Sequence, residues 1–598
     1  MHKTEEVVKG FHAVGNEHRK LLNSQHPPTK YPTVAIPAIL GAILSLIVTG
    51  FSFGTNNNLF HLPIVASLFD EPQFRNDEFI QSLRFFAAGP WLAMRGSASW
   101  IDPKILFGLL HVLSRILLFF GFLLSATTLG VTERRQQLLL VALLSVSFVL
   151  RGASLGGFGG LLIPEFTHSE FGNGLFLIAL YLVVTRRIAA ALGVAGLAAW
   201  VNAFVGVWVL FTLSIVFLYQ FSKAEYPLRS AIREVAIGAI AATAIALPVA
   251  ANILSNPDAL SRHDFDYVNY LSEYYPYHFL FSAYRPAEKI MLGAILVLGL
   301  SSFNLLKFRG HPWSVALMAS AAIYTVGIVA PIFTHAPIVL NLHLLRSSTQ
   351  IHLLAALAAG SLVCKSWFDG ARPAFRLGAP LIALGVINPV TGPLYNPAII
   401  VLTGSLVLVS GLCLAPRNAV IDIRRLTFLG PWLRAGTLGV LAASVAALAW
   451  ENYSNEASTR AWIKNWRAVG IWARMATPAS SIFLIPIAEQ HRIGPARDID
   501  MLTKTNAIFE YESHRQLWVD FKRGGAVMWW PHYYQKWHDR VTEVSGRMDL
   551  NSRLAYAKNN GIRYVIDICD PARPLPEFSR GKVCVYSADN DGAPDSLK

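Results

Sequence analysis

The chain has 598 residues, of which 53% are apolar and only 15% are charged, and its mean hydropathy is +0.42. A soluble domain of this size needs far less apolar sequence, and the apolar runs reach the roughly 20 residues that a helix needs to cross a bilayer. The formal net charge of +14 does not indicate nucleic-acid binding, because the basic residues are scattered between apolar runs, as in the cytoplasmic loops of membrane proteins. The composition predicts a polytopic α-helical membrane protein.

Thirteen apolar segments are candidates for membrane spans, and we expect about 11–13 transmembrane helices. In chain order the segments are 33–53, 104–128, 136–150, 173–185, 188–202, 203–221, 233–254, 288–306, 313–333, 348–366, 377–389, 397–414 and 432–450. The stretch 188–221 is long enough for either one tilted helix or two helices joined by a tight turn.

The basic residues predict which loops face the cytoplasm. With a cytoplasmic N-terminus, every second loop is basic, as the positive-inside rule requires. These loops contain, among others, Arg134, Arg135, Arg186, Arg187, Lys307 and Arg309. An odd number of spans then places the C-terminus on the outer side.

The resulting domain division has three parts. They are a cytoplasmic segment at 1–32, a transmembrane module at 33–450 with a first outer loop at 54–103, and a periplasmic domain at 451–598. Periodicity in the last part predicts a helix at 459–476, a second at 550–560, and short strands at 482–487, 516–521, 564–568 and 582–586, which together indicate an α/β domain. Cys569 and Cys584 are a candidate disulfide if this domain lies outside the cytoplasm.

The first outer loop contains four carboxylates within nine positions, Asp70, Glu71, Asp77 and Glu78. Asp77 is placed to cap a short helix with Glu78 in its first turn. A second role is compatible with capping: a reaction that joins a hydroxyl to an activated lipid-linked group needs a base, which Asp77 and Glu78 can supply. Arg84 follows them and is a candidate to bind an anion, or simply extends to the membrane interface.

Two later outer loops offer further cations. His278, Arg285 and Lys289 lie in or beside an aromatic-rich loop that suits a sugar and a phosphate, or a plain aromatic belt. Arg346 is flanked by apolar residues, where a cation is costly unless it meets an anion. A lipid phosphate is a suitable partner for its planar guanidinium, and an ion pair with the first loop is the alternative.

The sequence leaves metal binding open. Asp70, Asp77 and Glu78 are of the type that binds a divalent cation, but carboxylates alone do not establish a site. A phosphate-binding GxxxxGK[ST] loop and the metal- or redox-type HExxH and CxxC motifs do not occur. No cofactor is therefore assigned.

One helix, a large outer loop with an acidic pair, many further helices and an outward C-terminal domain resemble the GT-C class of polyprenyl-phosphate-sugar-dependent glycosyltransferases. Protein O-mannosyltransferases and aminoarabinose lipid A transferases of this class carry an Asp-Glu pair in that loop, and Asn76-Asp77-Glu78-Phe79 occupies the matching place. Further stretches are similar to those of related, uncharacterised bacterial membrane proteins. They include His61-Leu62-Pro63, Leu68-Phe69-Asp70-Glu71-Pro72, Tyr275-Pro276-Tyr277-His278-Phe279 and Val519-Asp520-Phe521-Lys522.

This resemblance implies an inverting glycosyltransferase of the bacterial inner membrane. It would move a sugar from a polyprenyl-phosphate donor to a lipid or glycan acceptor on the outer face. In the family, the first-loop Asp acts as base or orients the acceptor, and basic residues of later outer loops hold the phosphate. Asp77 is then the expected base with Glu78 beside it, and Arg346 and His278 are expected phosphate ligands.

Two other functions compete with this one. A non-catalytic transporter or scaffold for lipid-linked glycans is the main alternative; a transporter places ionisable residues within its helices along a path, whereas the strongest charges here lie in outer loops. Transfer of an acyl or phosphoethanolamine group needs an outward nucleophile with metal ligands, and the sequence shows no convincing set.

Overall fold

The structure, a computed structural model, describes residues 32–152, 155, 161–258, 264–308, 310–368, 373–387, 428–487, 497–547, 549–570 and 575–589. Helices dominate these residues. The longer ones are Pro32–Thr49, Pro103–Thr128, Arg134–Val146, His168–Val184, Ile188–Val201, Ala203–Ser222, Leu228–Leu254, Pro286–Leu305, Pro312–Phe333, Ser348–Phe368, Pro373–Val386 and Leu429–Ala476. Shorter helices in the loops are Asn58–Val65, Glu78–Ser82, Gly89–Ala93, Tyr267–Tyr274 and Pro276–Phe279.

The long helices form a membrane-type bundle. Seven helices of the described chain are long and apolar enough to cross a bilayer, and four shorter apolar helices accompany them. Helix Leu228–Leu254 exposes apolar side chains such as Ile240 and Leu247, which are 71% and 58% accessible, as expected of a surface that faces lipid. Every predicted span coincides with a helix except 397–414, which lies outside the described residues, as does nearly all of segment 1–32. The prediction of a polytopic helical membrane protein is confirmed.

Helix Leu429–Ala476 extends from the bundle into the C-terminal domain as one continuous element of 48 residues. The sequence predicts a span at 432–450 and a separate helix at 459–476, whereas the structure joins them, because no proline or glycine interrupts residues 440–469. Trp432 and Trp450 are both exposed. They lie 18 positions apart, about 27 Å along a helix, close to the thickness of a bilayer core.

The apolar stretch 188–221 forms two helices rather than one. Asn202 has extended backbone angles, and its side-chain oxygen accepts hydrogen bonds from the backbone N–H groups of Phe204 and Val205. This N-cap starts the second helix where the first one ends. The sequence left this choice open, and the capping asparagine decides it.

Basic residues of the loops meet at one end of the bundle. Arg135 lies over the ring of Phe368 at 4.8 Å, and Arg186 pairs with Glu225 at 3.1 Å. The loops that contain residues 54–102, 264–285 and 334–347 lie at the other end, against the C-terminal domain. The assignment of the basic end to the cytoplasm follows from the positive-inside rule and stays a prediction.

The C-terminal domain is built on a mixed five-stranded sheet with the order β2-β1-β3-β5-β4. The strands are β1 Ile482–Leu484, β2 Gln516–Leu517, β3 Tyr564–Ile568, β4 Phe578–Arg580 and β5 Val583–Ser587. β1 pairs in parallel with β2 and β3, and β5 runs antiparallel to β3 and β4. All four predicted strands are present, and β4, a strand of three residues of which two are exposed, was missed. Helix Leu550–Asn559 is followed by Gly561 at φ +67°, the left-handed conformation that glycine favours.

A disulfide joins Cys569, which directly follows β3, to Cys584 in β5. The two cysteines are 15 positions apart, and closing a loop of this size in the unfolded chain is worth about 3 kcal/mol. We expect the Cys569→Ser, Cys584→Ser double variant to lower the melting temperature of the C-terminal domain. Tryptophan fluorescence during a thermal ramp measures this, and Cys364→Ser is the control. An unchanged melting temperature would show that the strands alone hold this region.

Candidate functional site

The outer loops and the C-terminal domain share one hydrophobic core. Buried residues of the first loop, among them Phe79 and Trp91, belong to the same cluster as Tyr270 of the later loop and Trp537 of the domain. Tyr270 donates a hydrogen bond to the carbonyl of Gly524 at 2.7 Å. Apolar burial is the main cohesive force in folded proteins. The shared core therefore holds the C-terminal domain directly against the loops.

Asp77 lies in the contact between the first loop and the domain. One carboxylate oxygen caps the helix Glu78–Ser82 by accepting from the backbone N–H of Ile80 at 3.1 Å. The other oxygen is 3.6 Å from a guanidinium nitrogen of Arg523, whose side chain is 1% exposed. Arg523 also pairs with Glu510 at 2.5 Å. Burial raises the pKa of Glu510, which Arg523 opposes and the charge of Asp77 reinforces.

The other three acidic residues of the loop are also engaged. Glu78 pairs with Lys536 of the domain at 2.9 Å, and Glu71 contacts His514 at 2.6 Å. Asp70 is held by Arg84 and Arg95, at 2.8 and 2.9 Å, and these arginines lower the pKa of its carboxyl group although partial burial opposes them. In the part of the chain that the structure describes, no group of three His, Cys, Asp or Glu residues is arranged to hold a metal ion.

Three of the predicted phosphate ligands have partners of their own. Arg84 pairs with Asp70 and also donates to the carbonyl of Phe69 at 2.7 Å. Arg285 pairs with Glu288 at 3.0 Å, and the ammonium group of Lys289 lies 4.8 Å above the ring of Phe281.

Arg346 differs from them. It lies in a short turn, Leu344–Ser347, immediately before helix Ser348–Phe368. Among the described residues, no carboxylate pairs with its guanidinium and no hydrogen bond reaches it. Arg346 is electrostatically coupled to His168, His343 and Lys522, and to the phenol of Tyr284.

Lys522 of the C-terminal domain is a second cation, and it is electrostatically coupled to Arg346. It follows Asp520, whose side chain caps the turn Phe521–Met528 by accepting from the Lys522 N–H at 2.7 Å. Burial lowers the pKa of Lys522; Glu165 and Asp520 oppose this effect, and Lys504 and, to a smaller extent, Arg346 add to it. Across the described chain, no carboxylate pairs with its ammonium group.

Three histidines, His61, His168 and His343, are electrostatically coupled to the two cations. His343 has a positive φ of 49°, and its ring lies 4.7 Å from that of Phe279, the neighbour of His278. His61 stacks on Trp91 at 3.8 Å. Burial, with His168 and Lys522 nearby, holds the pKa of His61 well below its usual value. The Nδ1 atoms of His61 and His343 are buried without a hydrogen-bond partner.

This arrangement forms what we call the cation site, defined by Arg346, Lys522, His61, His168 and His343. Buried polar atoms are normally hydrogen-bonded, and two cations repel each other unless an anion lies between them. An anion such as a phosphate between them would offset this repulsion. The sequence identified Arg346 and His278 but gave no role to Lys522 or to His61 and His168.

Some of these residues had a signal in the sequence. Lys522 and His61 lie in stretches that supported the family resemblance, and that pattern offered a reason to examine them. His168 had none, since a histidine at the start of an apolar helix is usually a structural residue. Its position next to Trp91, which donates to its Nδ1 at 3.0 Å, depends on the tertiary fold.

The chain shows a structural likeness to known proteins but no sequence match. Neither a protein-family model nor a curated protein sequence matches the chain. The solved structure of ArnT from Cupriavidus metallidurans bound to undecaprenyl phosphate is similar over 94% of this chain and 98% of that chain, with 14% sequence identity and a TM-score of 0.41. No residue role is transferred from it.

Proposed function

We propose that the chain is a GT-C-type glycosyltransferase of the bacterial inner membrane that uses a polyprenyl-phosphate sugar as donor. The observation that supports this most is the pair of cations, Arg346 and Lys522, which lack carboxylate partners among the described residues. They lie between the outer loops and the domain, where the phosphate of a membrane-embedded lipid can reach them. Guanidinium and ammonium groups are the usual protein ligands of phosphate.

The chemistry follows from this placement. When the acceptor oxygen attacks the anomeric carbon, the bond from that carbon to the phosphate oxygen breaks and the leaving polyprenyl phosphate gains negative charge. Arg346 and Lys522 stabilise this charge, because cations that are already in place favour the charged leaving group. Inversion at the anomeric carbon is the expected stereochemistry, and the acceptor is a lipid or glycan on the outer face.

Asp77 is the base that the sequence predicts for this reaction, with Glu78 beside it. Its carboxylate caps a helix and pairs with Arg523, so Asp77 lies in the interface between the first loop and the domain. Its catalytic role stays a prediction. Asp77→Asn keeps the size of the side chain and tests that role directly. Loss of turnover with unchanged thermal stability would support it.

A specific observation favours a transporter as second candidate. Arg115, near the middle of helix Pro103–Thr128, lies 3.3 Å from Glu170, which also contacts His111 at 3.0 Å. All three residues are buried, and Nε and Nη1 of Arg115 and Nε2 of His111 have no hydrogen-bond partner. Ionisable residues within membrane helices are often part of a transport path.

One assay separates the two candidates. The purified full chain in lipid nanodiscs is given a panel of isotope-labelled polyprenyl-phosphate sugars together with an extract of cell-envelope lipids and glycans. We expect one donor to release polyprenyl phosphate and transfer its label. Binding of a donor without release, combined with donor movement across vesicles that contain the protein, would replace the transferase by the transporter. Absence of both binding and release would reject both.

A further inference from the structure

Uncharged polar groups surround His168 of the cation site. The indole N–H of Trp91 donates to Nδ1 of His168 at 3.0 Å. The side-chain amide nitrogen of Asn202 lies 3.1 Å from Nε2 of the same ring and donates to the hydroxyl of Ser169 at 3.0 Å. We call His168, Ser169, Asn202 and Trp91 the neutral cluster, because none of these side chains has a permanent charge.

The partners of the His168 ring determine where its proton lies. An indole N–H can only donate, and Trp91 is fully buried, where an unmade hydrogen bond is costly. Nδ1 of His168 is therefore the acceptor for this N–H. A neutral imidazole then has its proton on Nε2, on the side of the ring that faces Asn202.

The orientation of the Asn202 amide is determined independently of the histidine. Its oxygen accepts hydrogen bonds from the backbone N–H groups of Phe204 and Val205, so its NH2 group faces His168 and Ser169. One N–H of this group has the Ser169 hydroxyl as acceptor. The other meets Nε2–H of His168, which is also a donor.

Two N–H donors therefore face each other without an acceptor between them. Asn202 is only 7% exposed, and buried donors are normally hydrogen-bonded. One oxygen atom of a bound molecule can accept from both donors, since a hydroxyl oxygen has two lone pairs. His168 and the neighbouring Phe86 are partly accessible, so a bound molecule can reach the neutral cluster.

Contacts connect the neutral cluster to the turn that contains Arg346. Asn202 accepts from the N–H of Phe204, and the ring of Phe204 lies 5.0 Å from that of His343. The carbonyl of His343 in turn accepts from the backbone N–H of Arg346 at 2.8 Å. The first cation is thus linked to His168 through side chains that touch one another.

Other contacts reach the turn Phe521–Met528, which contains Lys522. The ring of Phe86 lies 5.8 Å from that of His168 and 5.3 Å from that of Trp529, the residue that directly follows this turn. Packing therefore places the neutral cluster beside both turns that supply the cations.

The charge of the ligand decides which of its parts suits the neutral cluster. In a polyprenyl-phosphate sugar the phosphate carries negative charge, which suits Arg346 and Lys522, and the sugar is joined directly to that phosphate. The sugar is rich in hydroxyl and ether oxygens, which accept hydrogen bonds from uncharged donors. Sites for small molecules combine aromatic walls with a few well-placed polar groups, and Phe86 provides such a wall beside His168.

We infer that the neutral cluster binds the sugar of the donor, with Nε2–H of His168 and the amide of Asn202 donating to one sugar oxygen. This inference rests on the proposed function, which supplies the ligand. It assigns the sugar to the neutral cluster and the phosphate to Arg346 and Lys522. Substitutions in the two places are therefore expected to affect different parts of the donor.

The test compares two labelled ligands, the polyprenyl-phosphate sugar that the donor panel identifies and the same polyprenyl phosphate without its sugar. Binding of each to wild type and to His168→Phe is measured in nanodiscs. Phenylalanine keeps a ring but has no nitrogen, so we expect the affinity for the sugar-bearing lipid to fall by roughly 10-fold. The affinity for the bare lipid is expected to stay within about threefold, since no cation has been removed.

Further variants separate a role in binding from a role in folding. His168→Gln keeps an acceptor for the Trp91 N–H and a donor in place of Nε2–H, so it should recover part of the affinity for the sugar-bearing lipid. Ser169→Ala removes the hydroxyl that holds the Asn202 amide and should weaken the same ligand alone; it replaces His168→Phe if thermal unfolding shows that variant to be unfolded. His335→Phe, at an exposed histidine of a later outer loop, is the control and should bind both lipids as wild type does.

Three outcomes would overturn the inference. They are equal affinity of wild type for the two lipids, an unchanged affinity of the folded variant for the sugar-bearing lipid, or an equal loss for both lipids, which would place the neutral cluster at the phosphate. In each of these the wild type still binds polyprenyl phosphate, so the phosphate site of the proposed function stands. If the wild type binds neither lipid and turns over no donor, the proposed function fails and the inference fails with it.

Discussion

Replacing Arg523 by methionine is expected to release the C-terminal domain from the outer loops. Arg523 is the shared partner of Asp77 and Glu510, and its side chain is 1% exposed. Without it two buried carboxylates face each other unpaired, and removing one member of a buried ion pair costs about 3–5 kcal/mol. The cation also lies 4.6 Å above the ring of Phe79, a contact that methionine replaces only as apolar packing.

Limited proteolysis and thermal unfolding measure this effect. We expect cleavage near the end of helix Leu429–Ala476 to become faster and the melting temperature to fall. Arg540→Met is the matched control, because Arg540 lies 3.5 Å over Trp518 but has no carboxylate partner within the described residues. Adding Asp77→Asn and Glu510→Gln to Arg523→Met should recover part of the loss, since no unpaired charge then remains. Equal stability of the Arg523 and Arg540 variants would contradict the role of this network.

Replacing Arg346 or Lys522 by glutamine is expected to weaken binding of polyprenyl phosphate strongly. A hydrogen bond to a charged group contributes about 1.5–3 kcal/mol, which corresponds to roughly a 10- to 150-fold change in affinity. The effect on folding should be small or favourable, because each substitution removes one of two cations that repel each other. Loss of ligand binding with retained or raised stability is the signature of a ligand site rather than of a structural residue.

Binding of labelled polyprenyl phosphate to the protein in nanodiscs measures this. Lys582→Gln is the matched control, because Lys582 is an exposed lysine of the same domain that pairs with Asp498 at 2.7 Å. The double variant, Arg346→Gln with Lys522→Gln, should have an affinity for polyprenyl phosphate no higher than that of the single variant with the lower affinity. Affinities of the Arg346 and Lys522 variants within threefold of wild type would remove the observation on which the proposed function rests.

The buried His61 is a further reason to expect an anionic ligand at the cation site. Burial holds the pKa of His61 well below its usual value, so this imidazole is neutral at physiological pH. A neutral ring can either donate or accept at Nδ1, and the Nδ1 atom of His61 has no partner. An anionic ligand allows it to act as a donor without adding charge of its own.

The acidic loop shows where sequence reasoning reached its limit. A capping position at Asp77 is readable from the chain, and the structure contains that cap. Its pairing with Arg523, 446 positions later, is not readable, because the contact exists only after the domain has folded back onto the loop. The same holds for Glu78 with Lys536 and for Glu71 with His514.

The sequence by itself determined the class of the protein and most of its elements. Long apolar runs can satisfy their backbone hydrogen bonds in lipid only as helices, which is why all predicted spans in the described chain are helices. Short strands of apolar residues between turns gave the sheet of the C-terminal domain. These outcomes depend on local composition, which can be read directly from the sequence.

The tertiary structure alone decided which charged residues are free to act. Arg84, Arg285 and Lys289 were candidates beside Arg346 in the sequence, but the first two are paired with carboxylates and the third with an aromatic ring. Lys522 and Arg346 influence each other electrostatically only because the domain folds onto the outer loops. Electrostatic interactions depend on distance and burial, and both are set by packing between segments that are hundreds of residues apart.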